Sequence, residues 1–462
     1  MGIKLAIAGA SGFVGQRLIK SLATMPEVSH IRGLSRSTPQ SEDSKVEFIS
    51  CDLFSLKDVD QGLQNIDEAI YLVHSMLPSS ELAQGNFEDY DLILADNFAR
   101  SCVKNGVKRI IYLSGIIPPY GEKNPTFLSK HLKSRLEVEQ VFKSYGLQLV
   151  SLRASIIMGH GGSSFEMLLR LVDRLPAMIC PAWTQGRSNP IHIDDVCQSF
   201  HWALSQTALT GVFDLAGPEE LSYFEMIQKC SQHFKKGRLL FKVPLFSPKL
   251  SRLWVSTVTG ASANLVYPLI ESLKHEMISD PKKTLTIPNW KYKSFSQALS
   301  EIKEIHNGIR SDPKAYKVTV SQEKLHVVQS VQRIAIPREL DAEGAAKAYT
   351  QFLNSYFKGL IAVTTTGNQT TFRIRETQKA LLILEYSVER SSPDRVLFYI
   401  KGGILDKGRD RARLEFRRCR HEDSLIVAIH DFSPKLPWYI YKYTQAIFHL
   451  KVMRAFAKYL KN

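Results

Sequence analysis

The chain has 462 residues, of which 44% are hydrophobic and 23% are charged. This length argues against a single domain and predicts two or three, and the composition is that of an ordinary soluble globular protein. The formal net charge of +15 suits an anionic partner, such as a dinucleotide phosphate, an acidic membrane surface or a nucleic acid, but it selects none of them.

The N-terminal third alternates apolar, strand-like runs with amphipathic helical patterns, from "IKLAIAG" through "AIYLVHSM" to "RIIYLSG". Such alternation predicts parallel strands joined by crossover helices, with both faces of the sheet covered. We therefore expect an α/β Rossmann fold with a parallel sheet. The first apolar run leads straight into a glycine turn, so we interpret it as a strand and not as a signal peptide.

The first predicted strand ends in "GASGFVG", which spaces the glycines three residues apart before a helix expected to begin near Val14. Gly9 permits a tight turn, Gly12 lets the backbone approach a pyrophosphate, and Gly15 lets the helix pack against the strand. A plain glycine turn is the alternative, but the position between a strand and a helix favours a dinucleotide-binding loop. The candidate contacts in this loop are Gly9, Ser11, Gly12, Phe13, Val14 and Gly15.

The second predicted strand ends in "GLSRS", with Arg36 where an NAD-binding protein carries an acidic residue. A guanidinium there suits the 2′-phosphate of NADP, so we expect NADP(H) as the cofactor, with NAD(H) as the alternative. The other interpretation of Arg36 is an exposed surface arginine. Ligands bind at the carboxyl ends of the strands in such sheets. The further candidates at those ends are Asp52 and Leu53 after the third strand, and Val73, His74 and Ser75 after the fourth.

These motifs, together with "SKHLKSRLEVE", "LRASIIMGHGGSSFEML" and "NPIHIDDV", resemble the atypical, extended branch of the short-chain dehydrogenase superfamily. The chain is similar to the NmrA-like NAD(P)-binding proteins of the YbjT type and, more distantly, to the NADPH-binding accessory subunit of respiratory complex I. The likeness covers residues 1–310 and implies a smaller, substrate-side lobe at about residues 211–310. It also implies that Ala154, Ser155 and Ile156 contact the nicotinamide amide.

Typical members of that superfamily use a Tyr-x-x-x-Lys pair and a serine to protonate and polarise a substrate carbonyl. In this chain His131 occupies the tyrosine position and Arg135 the lysine position. Ser114 is the hydroxyl at the end of the fifth strand, whereas the position at which extended relatives place the reactive serine is Ile116. The usual catalytic set is therefore absent.

Two interpretations of these residues stay open. In the first, His131 is a general acid and Arg135 holds the nicotinamide ribose or an anionic substrate group, which predicts an NADPH-dependent reductase of a hydrophobic carbonyl or quinone-like compound. In the second, both residues clamp the cofactor, and the protein binds or senses the dinucleotide with at most atypical oxidoreductase activity. The sequence favours the second, because arginine does not deprotonate and its charge lowers the protonated fraction of His131.

Residues 311–324 have the charge and turn content of a linker. After them, residues 325–462 read as a strand, a helix, several antiparallel strands and one long terminal helix. This order resembles the helix-grip (START/polyketide-cyclase-like) superfamily, whose members enclose an apolar cavity, so carriage of an apolar ligand is a further alternative. In the terminal helix, packing against its own sheet is favoured over peripheral contact with a membrane. Its predicted apolar face consists of Ala446, Leu450, Met453, Ala457 and Leu460.

Several partners and compartments are disfavoured by the sequence. The run "KGRDRARLEFRRCR", which begins at Lys407, predicts a strand with one buried and one solvated, charged face, and no nucleic-acid-binding motif accompanies it. Residues 253–270 are uncharged, but their Ser, Thr, Asn, Gly and Pro content opposes a spanning helix. The six cysteines lack metal-site or redox spacing, which indicates a reducing compartment. We expect a cytoplasmic protein without a metal or nucleic-acid partner.

Overall fold

The computed structural model describes residues 2–74, 80–244, 255–260, 263–310, 325–357, 359–408 and 410–461. The chain divides into two compact units. The first comprises Met1–Leu77 and Asp91–Thr319, and the second comprises Pro78–Tyr90 and Val320–Asn462. The second unit therefore includes the short segment Pro78–Tyr90, which lies in the sequence between the two parts of the first unit. The predicted linker at residues 311–324 lies outside the described residues.

The strands are numbered along the chain. They are β1 (Ile3–Ala8), β2 (Val28–Ser35), β3 (Val46–Ser50), β4 (Glu68–Tyr71), β5 (Ser80–Gln84), β6 (Arg109–Gly115), β7 (Gln148–Ala154), β8 (Ile157–Met158), β9 (Ala177–Cys180), β10 (Arg187–Ser188), β11 (Ile191–His192), β12 (Gly211–Leu215), β13 (Leu221–Ser222), β14 (Leu239–Lys242), β15 (Leu325–Ala335), β16 (Ile361–Thr366), β17 (Gln369–Ile374), β18 (Ala380–Tyr386), β19 (Arg395–Gly402), β20 (Arg413–Arg418) and β21 (Ser424–Phe432).

The helices are numbered in the same way. They are α1 (Phe13–Ala23), α2 (Leu56–Gly62), α3 (Phe87–Lys104), α4 (Pro119–Lys123), α5 (Lys130–Ser144), α6 (Ser163–Arg174), α7 (Ile193–Ser205), α8 (Tyr223–His233), α9 (Ala263–Ser272), α10 (Phe295–Arg310), α11 (Ala342–Tyr356), α12 (Trp438–Tyr443) and α13 (Gln445–Tyr459). Short 3-10 helices occupy Pro125–Phe127, Ala182–Gln185 and Val388–Arg390.

The first unit is built on a parallel sheet of seven strands in the order β12-β7-β6-β4-β1-β2-β3. This order confirms the predicted Rossmann fold. The chain runs outward from β1 through β2 and β3 and then returns to place β4 on the other side of β1. Because the two helices that follow β1 and β4 diverge at this reversal, a crevice opens at the carboxyl ends of these strands. The predicted cofactor residues after β1, β2, β3 and β4 therefore share one edge of the sheet.

Apolar layers cover both faces of this sheet. On one face, α1 and α7 contribute Leu18, Leu22, Val196 and Phe200 to a buried cluster that includes the inward side chains of the strands. On the other face, buried aromatic rings interlock at centroid distances of 5.0 to 6.4 Å. Aromatic rings in such tilted and edge-on arrangements add to the stability gained from burial. The four rings on this face are those of Tyr71, Phe98, Tyr112 and Phe142.

A second apolar cluster forms the core of the smaller lobe. It combines helices α6, α8, α9 and α10, and it includes residues that precede residue 211 in the sequence. A capping box is present at the start of α8, where Ser222 accepts the Glu225 N–H and the Glu225 carboxylate accepts the Ser222 N–H. At the start of α7, Asp194 and Asp195 lie in the first turn, and the capping side chain is that of His192.

The second unit contains an eight-stranded sheet in the order β16-β17-β18-β19-β20-β21-β15-β5. Its neighbouring strands are antiparallel from β16 to β15, whereas β5 joins the edge in parallel with β15. Tyr349 and Phe352 of α11 and Phe456 of α13 pack together in the buried cluster of this unit. The predicted single terminal helix is interrupted at Thr444, which has φ −124° and ψ −83°. The resemblance to helix-grip proteins stays a prediction.

The charged face of β20 is buried, which corrects the prediction that it is solvated. Arg413, Glu415 and Arg417 are 5%, 2% and 2% exposed. The Glu415 carboxylate accepts hydrogen bonds from Arg395 on β19 and from Arg417. Burial by itself would raise the pKa of Glu415, but the charges of Arg395 and Arg417 outweigh it and hold that pKa well below its usual value. Mutual neutralisation across two strands makes this burial tolerable.

The helices α12 and α13 expose several large apolar side chains, including Tyr439, Tyr443 and Phe448. Peripheral contact of this region with a membrane stays a prediction. Among the described residues, no helix combines the length and the apolar character needed to cross a membrane.

Candidate functional site

The glycine loop between β1 and α1 has the geometry of a phosphate-binding turn. Gly9 has a φ of +87°, and the Gly12 N–H donates to the Gly9 carbonyl at 3.0 Å. A Cβ atom on Gly15 would lie 2.3 Å from the Gly9 carbonyl oxygen and 2.8 Å from that of Ala10. Both of these atoms belong to the backbone and cannot rotate away. The close approach of α1 to the loop therefore requires glycine at position 15.

The first turn of α1 is open to an anion. Gly12 is its N-cap residue, no side chain caps it, and the first turn carries no acidic residue. Unpaired amides and the positive end of the helix dipole favour a phosphate at such a terminus. Ser11 and Gly12 are exposed, whereas Phe13 and Val14 are half-buried. The loop thus fits the pyrophosphate of a dinucleotide.

One side of the crevice is formed by the ends of β2 and β3. Arg36 follows β2 directly and is exposed, and Asp52 accepts the Phe54 N–H at 3.1 Å in the turn after β3. Leu53 is buried, and the Asn97 side chain donates to its carbonyl at 2.8 Å. Asn97 was not predicted from the sequence, because its role depends on α3 packing beside this turn.

The other side of the crevice contains further predicted residues. Val73 is half-buried and His74 is exposed after β4, while Ser75 lies outside the described residues. At the end of β7, Ala154 and Ile156 are buried, and the Ser155 hydroxyl donates to the Asn189 carbonyl at 2.7 Å.

A cavity of about 220 Å³ opens beside these residues. Its wall includes His74, His131 and the end of β7, and most of the remaining wall is apolar. The cavity wall includes Gly115, but Ser114 is buried in β6 and is not among the described lining residues. Of the predicted catalytic residues, His131 therefore lines the cavity, whereas Ser114 is buried in the sheet. Apolar wall residues include Met167, Leu168, Leu171, Trp183, Ile227 and Met277.

His131 lies in the first turn of α5, which begins at the N-cap residue Ser129. Its Nδ1 atom is 3.2 Å from the Ser272 hydroxyl oxygen. Burial, and secondarily the charge of Arg135, lower the pKa of His131 from 6.5 to about 3. The imidazole is therefore neutral at physiological pH, so it does not hold a proton ready for transfer.

Arg135 is engaged by an acidic residue that was not predicted from the sequence. Its guanidinium forms an ion pair with Asp91 of α3, and the two side chains are 5% and 1% exposed. Asp91 also accepts the Ser134 hydroxyl at 2.6 Å. The Nε atom of Arg135 is buried and has no hydrogen-bond partner within the described parts of the chain. A lysine at this position would have a mobile ammonium group, whereas this guanidinium is held by Asp91.

A cluster of His192, Asp194 and Glu301 has ligand atoms within 4.8 Å of one another. Lys293 Nζ lies 2.7 Å from both carboxylates, so a side-chain cation already neutralises them. Ion pairing at the start of α7 therefore explains why these three side chains lie close together.

Residues 5–216 match the family described as the NAD dependent epimerase/dehydratase family. The Auxiliary protein GraX of Staphylococcus aureus is 30% identical over 112 residues, which are 24% of this chain and 36% of that protein. A 3 beta-hydroxysteroid dehydrogenase/Delta 5-->4-isomerase of monkeypox virus is 26% identical over 179 residues, which are 36% of this chain and 50% of that enzyme. The matches thus span between about a third and a half of these relatives' own length.

Solved structures with the same fold cover nearly two thirds of the chain. A nucleoside-diphosphate-sugar epimerase of Staphylococcus aureus has a TM-score of 0.52 at 14% identity, over 64% of this chain and 99% of that one. An NADPH-dependent quinone oxidoreductase of Escherichia coli, in complex with NADPH, has a TM-score of 0.51 at 16% identity, over 65% and 99%. At such identities the likeness establishes the fold. The first unit has a Rossmann fold, and residues 5–216 within it match the NAD dependent epimerase/dehydratase family.

Proposed function

We propose that this protein binds NADP(H) in its first unit and senses or holds the dinucleotide, with at most atypical oxidoreductase activity. The proposal rests on the protonation state of the residue at the position from which typical members of the superfamily donate a proton. That position holds a neutral imidazole, His131, and the neighbouring Arg135 is paired with Asp91. Neither side chain therefore gives up a proton readily at physiological pH.

Two observations support NADP(H) over NAD(H). Arg36 is exposed directly after β2, at the place that an acidic residue occupies in NAD-binding proteins. The quinone oxidoreductase of Escherichia coli is described as a complex with NADPH, and a triphenylmethane reductase of Citrobacter with TM-score 0.50 is described as a complex with NADP(H). A guanidinium at position 36 is suited to the 2′-phosphate that distinguishes the two cofactors.

Each part of the chain would have a separate task in such a complex. The nicotinamide would supply hydride chemistry. The glycine loop and the α1 N-terminus would bind the pyrophosphate, and Arg36 would bind the 2′-phosphate. The end of β7, with Ala154, Ser155 and Ile156, would position the amide. His131 would take part in a hydrogen bond without exchanging a proton.

Titration of the purified full chain with NADPH and NADH, followed by oxidation assays against quinones and apolar aldehydes, tests the proposal. We expect saturable binding with NADPH preferred and no turnover above that of a His131→Gln variant. Ser144→Ala, a change on the same helix outside the cavity, is the matched control. Turnover that requires His131 would overturn the proposal.

That outcome would favour a second candidate, an NADPH-dependent reductase of a hydrophobic carbonyl or quinone-like compound. The apolar wall of the cavity beside His74 and His131 supports this candidate. In that case His131 would take part in delivering the proton to the carbonyl, as the first interpretation of the sequence holds. Carriage of an apolar ligand by the second unit stays a further prediction, tested by mass spectrometry of the intact purified chain.

A further inference from the structure

The hydrogen bonds around His131 assign the proton on its ring. The Ser272 hydroxyl oxygen lies 2.9 Å from the Pro268 carbonyl, 2.8 Å from the Ser129 hydroxyl and 3.2 Å from His131 Nδ1. A hydroxyl has only one proton to donate, and a carbonyl oxygen can only accept. The Ser272 proton is therefore directed to Pro268.

The other two partners of Ser272 must then donate to its oxygen. The Ser129 hydroxyl can do so while its own oxygen accepts the Leu132 N–H at the start of α5. For His131, donation requires the proton on Nδ1. A neutral imidazole with its proton on Nδ1 has a lone pair on Nε2, which makes Nε2 a hydrogen-bond acceptor.

Nε2 is the ring nitrogen that remains available to a ligand in the cavity. His131 and Ser272 both line the cavity, and Nδ1 is already directed to Ser272. Within the described residues no side chain or backbone group donates to Nε2. A ligand in this cavity therefore meets an acceptor at its polar end and apolar side chains, such as Leu168 and Ile270, over most of its surface.

We propose that the cavity takes an apolar molecule that carries a hydroxyl group, and that this hydroxyl donates its hydrogen bond to Nε2 of His131. The inference rests on the proposed function, since it treats the cavity as the ligand space beside the dinucleotide. A cavity of about 150 Å³ accommodates benzene, so the volume of about 220 Å³ suits a molecule of roughly one to two rings. A carbonyl compound of the same shape presents only an acceptor to Nε2 and is disfavoured.

Nitrogen-15 NMR of the histidine side chains in the ligand-free full chain tests the tautomer. We expect the signal that disappears in His131→Gln to show the coupling pattern of a ring protonated on Nδ1. A ring protonated on Nε2 would overturn the proposal at its first step. This result does not depend on dinucleotide binding.

Binding of a matched pair of probes, 4-tert-butylcyclohexanol and 4-tert-butylcyclohexanone, tests the ligand class. One net hydrogen bond contributes about 1 kcal/mol, so we expect the alcohol to bind roughly fivefold more tightly than the ketone. The preference should vanish in His131→Phe, weaken in Ser272→Ala and persist in Ser144→Ala. Equal affinities in the wild-type protein, or a preference for the ketone, would contradict the proposal.

NADPH titrations performed on the same samples separate this proposal from the proposed function. Loss of dinucleotide binding with a retained alcohol preference would overturn the proposed function alone. A ribose hydroxyl of the dinucleotide is the competing donor for Nε2. If saturating NADPH abolishes the alcohol preference, that hydroxyl occupies Nε2 and the proposal fails, even though NADPH binds.

Discussion

The ion pair between Arg135 and Asp91 makes a quantitative prediction about stability. Both side chains are almost completely buried, with exposed fractions of 5% and 1%. Removing one partner from such a pair leaves an uncompensated buried charge, which costs about 3–5 kcal/mol of unfolding free energy. We therefore expect Arg135→Met and Asp91→Leu each to destabilise the first unit by that amount.

The double variant should be far less destabilised than the sum of the two single variants, because apolar side chains of similar volume replace a buried pair at little cost. Urea denaturation of all four proteins gives the coupling energy between the two positions. The matched control is the pair of Arg32 and Glu47, which lie 3.1 Å apart and are 20% and 48% exposed. Breaking that surface pair should cost about 0–1 kcal/mol. Single variants of the buried pair that cost less than this control, or additive effects in the double variant, would refute the reasoning.

Three further predictions concern the cofactor loop, cofactor selection and pH. Gly15→Ala should abolish dinucleotide binding in a fluorescence titration, because the added Cβ atom would lie 2.3 Å from a backbone oxygen of the loop; unchanged affinity would show that α1 can move away. Arg36→Ala should weaken NADPH binding by roughly tenfold or more, as expected for a lost charge-assisted contact, and leave NADH binding nearly unchanged. Equal losses for both cofactors would contradict this role of Arg36. Folding lowers the pKa of His131 from 6.5 to about 3. Between these two pH values the unfolded chain binds a proton at His131 that the folded chain does not bind. The contribution of His131 to the free energy of unfolding therefore becomes less favourable as the pH falls from 6.5 towards 3. Urea midpoints measured across that range should decrease less steeply in His131→Gln than in the wild-type protein, and parallel curves would count against the shift.

The parts of the fold that depend on short-range pattern were predictable from the sequence. The parallel sheet follows from alternating apolar runs, and the loop at Gly9 and Gly15 follows from glycine spacing between a strand and a helix. The capping of α8 by Ser222 likewise depends only on residues within one helical turn. Each of these features is encoded within a few residues, and each is present in the structure.

The features that escaped prediction depend on residues that are distant in the sequence. Asp91 reaches Arg135 only because α3 packs beside α5, and Ser272 reaches His131 only because α9 does so. The buried charges of β20 could not be anticipated from its alternating pattern, because Arg395 neutralises Glu415 from the neighbouring strand. The same periodicity describes a solvated charged face and a buried, compensated one.

The edge strand β5 has a consequence for how the chain is assembled during synthesis. Ser80–Gln84 leaves the ribosome early, but its partner Leu325–Ala335 is made only after more than half of the chain has followed. The sheet of the second unit therefore cannot be completed until synthesis is nearly finished, and pairing over so long a separation is slow. Throughout that interval the segment must stay available while the sequence around it folds. No single cut of the polypeptide separates the two units, and a fragment that begins at Leu325 would present a bare β15 edge to other chains.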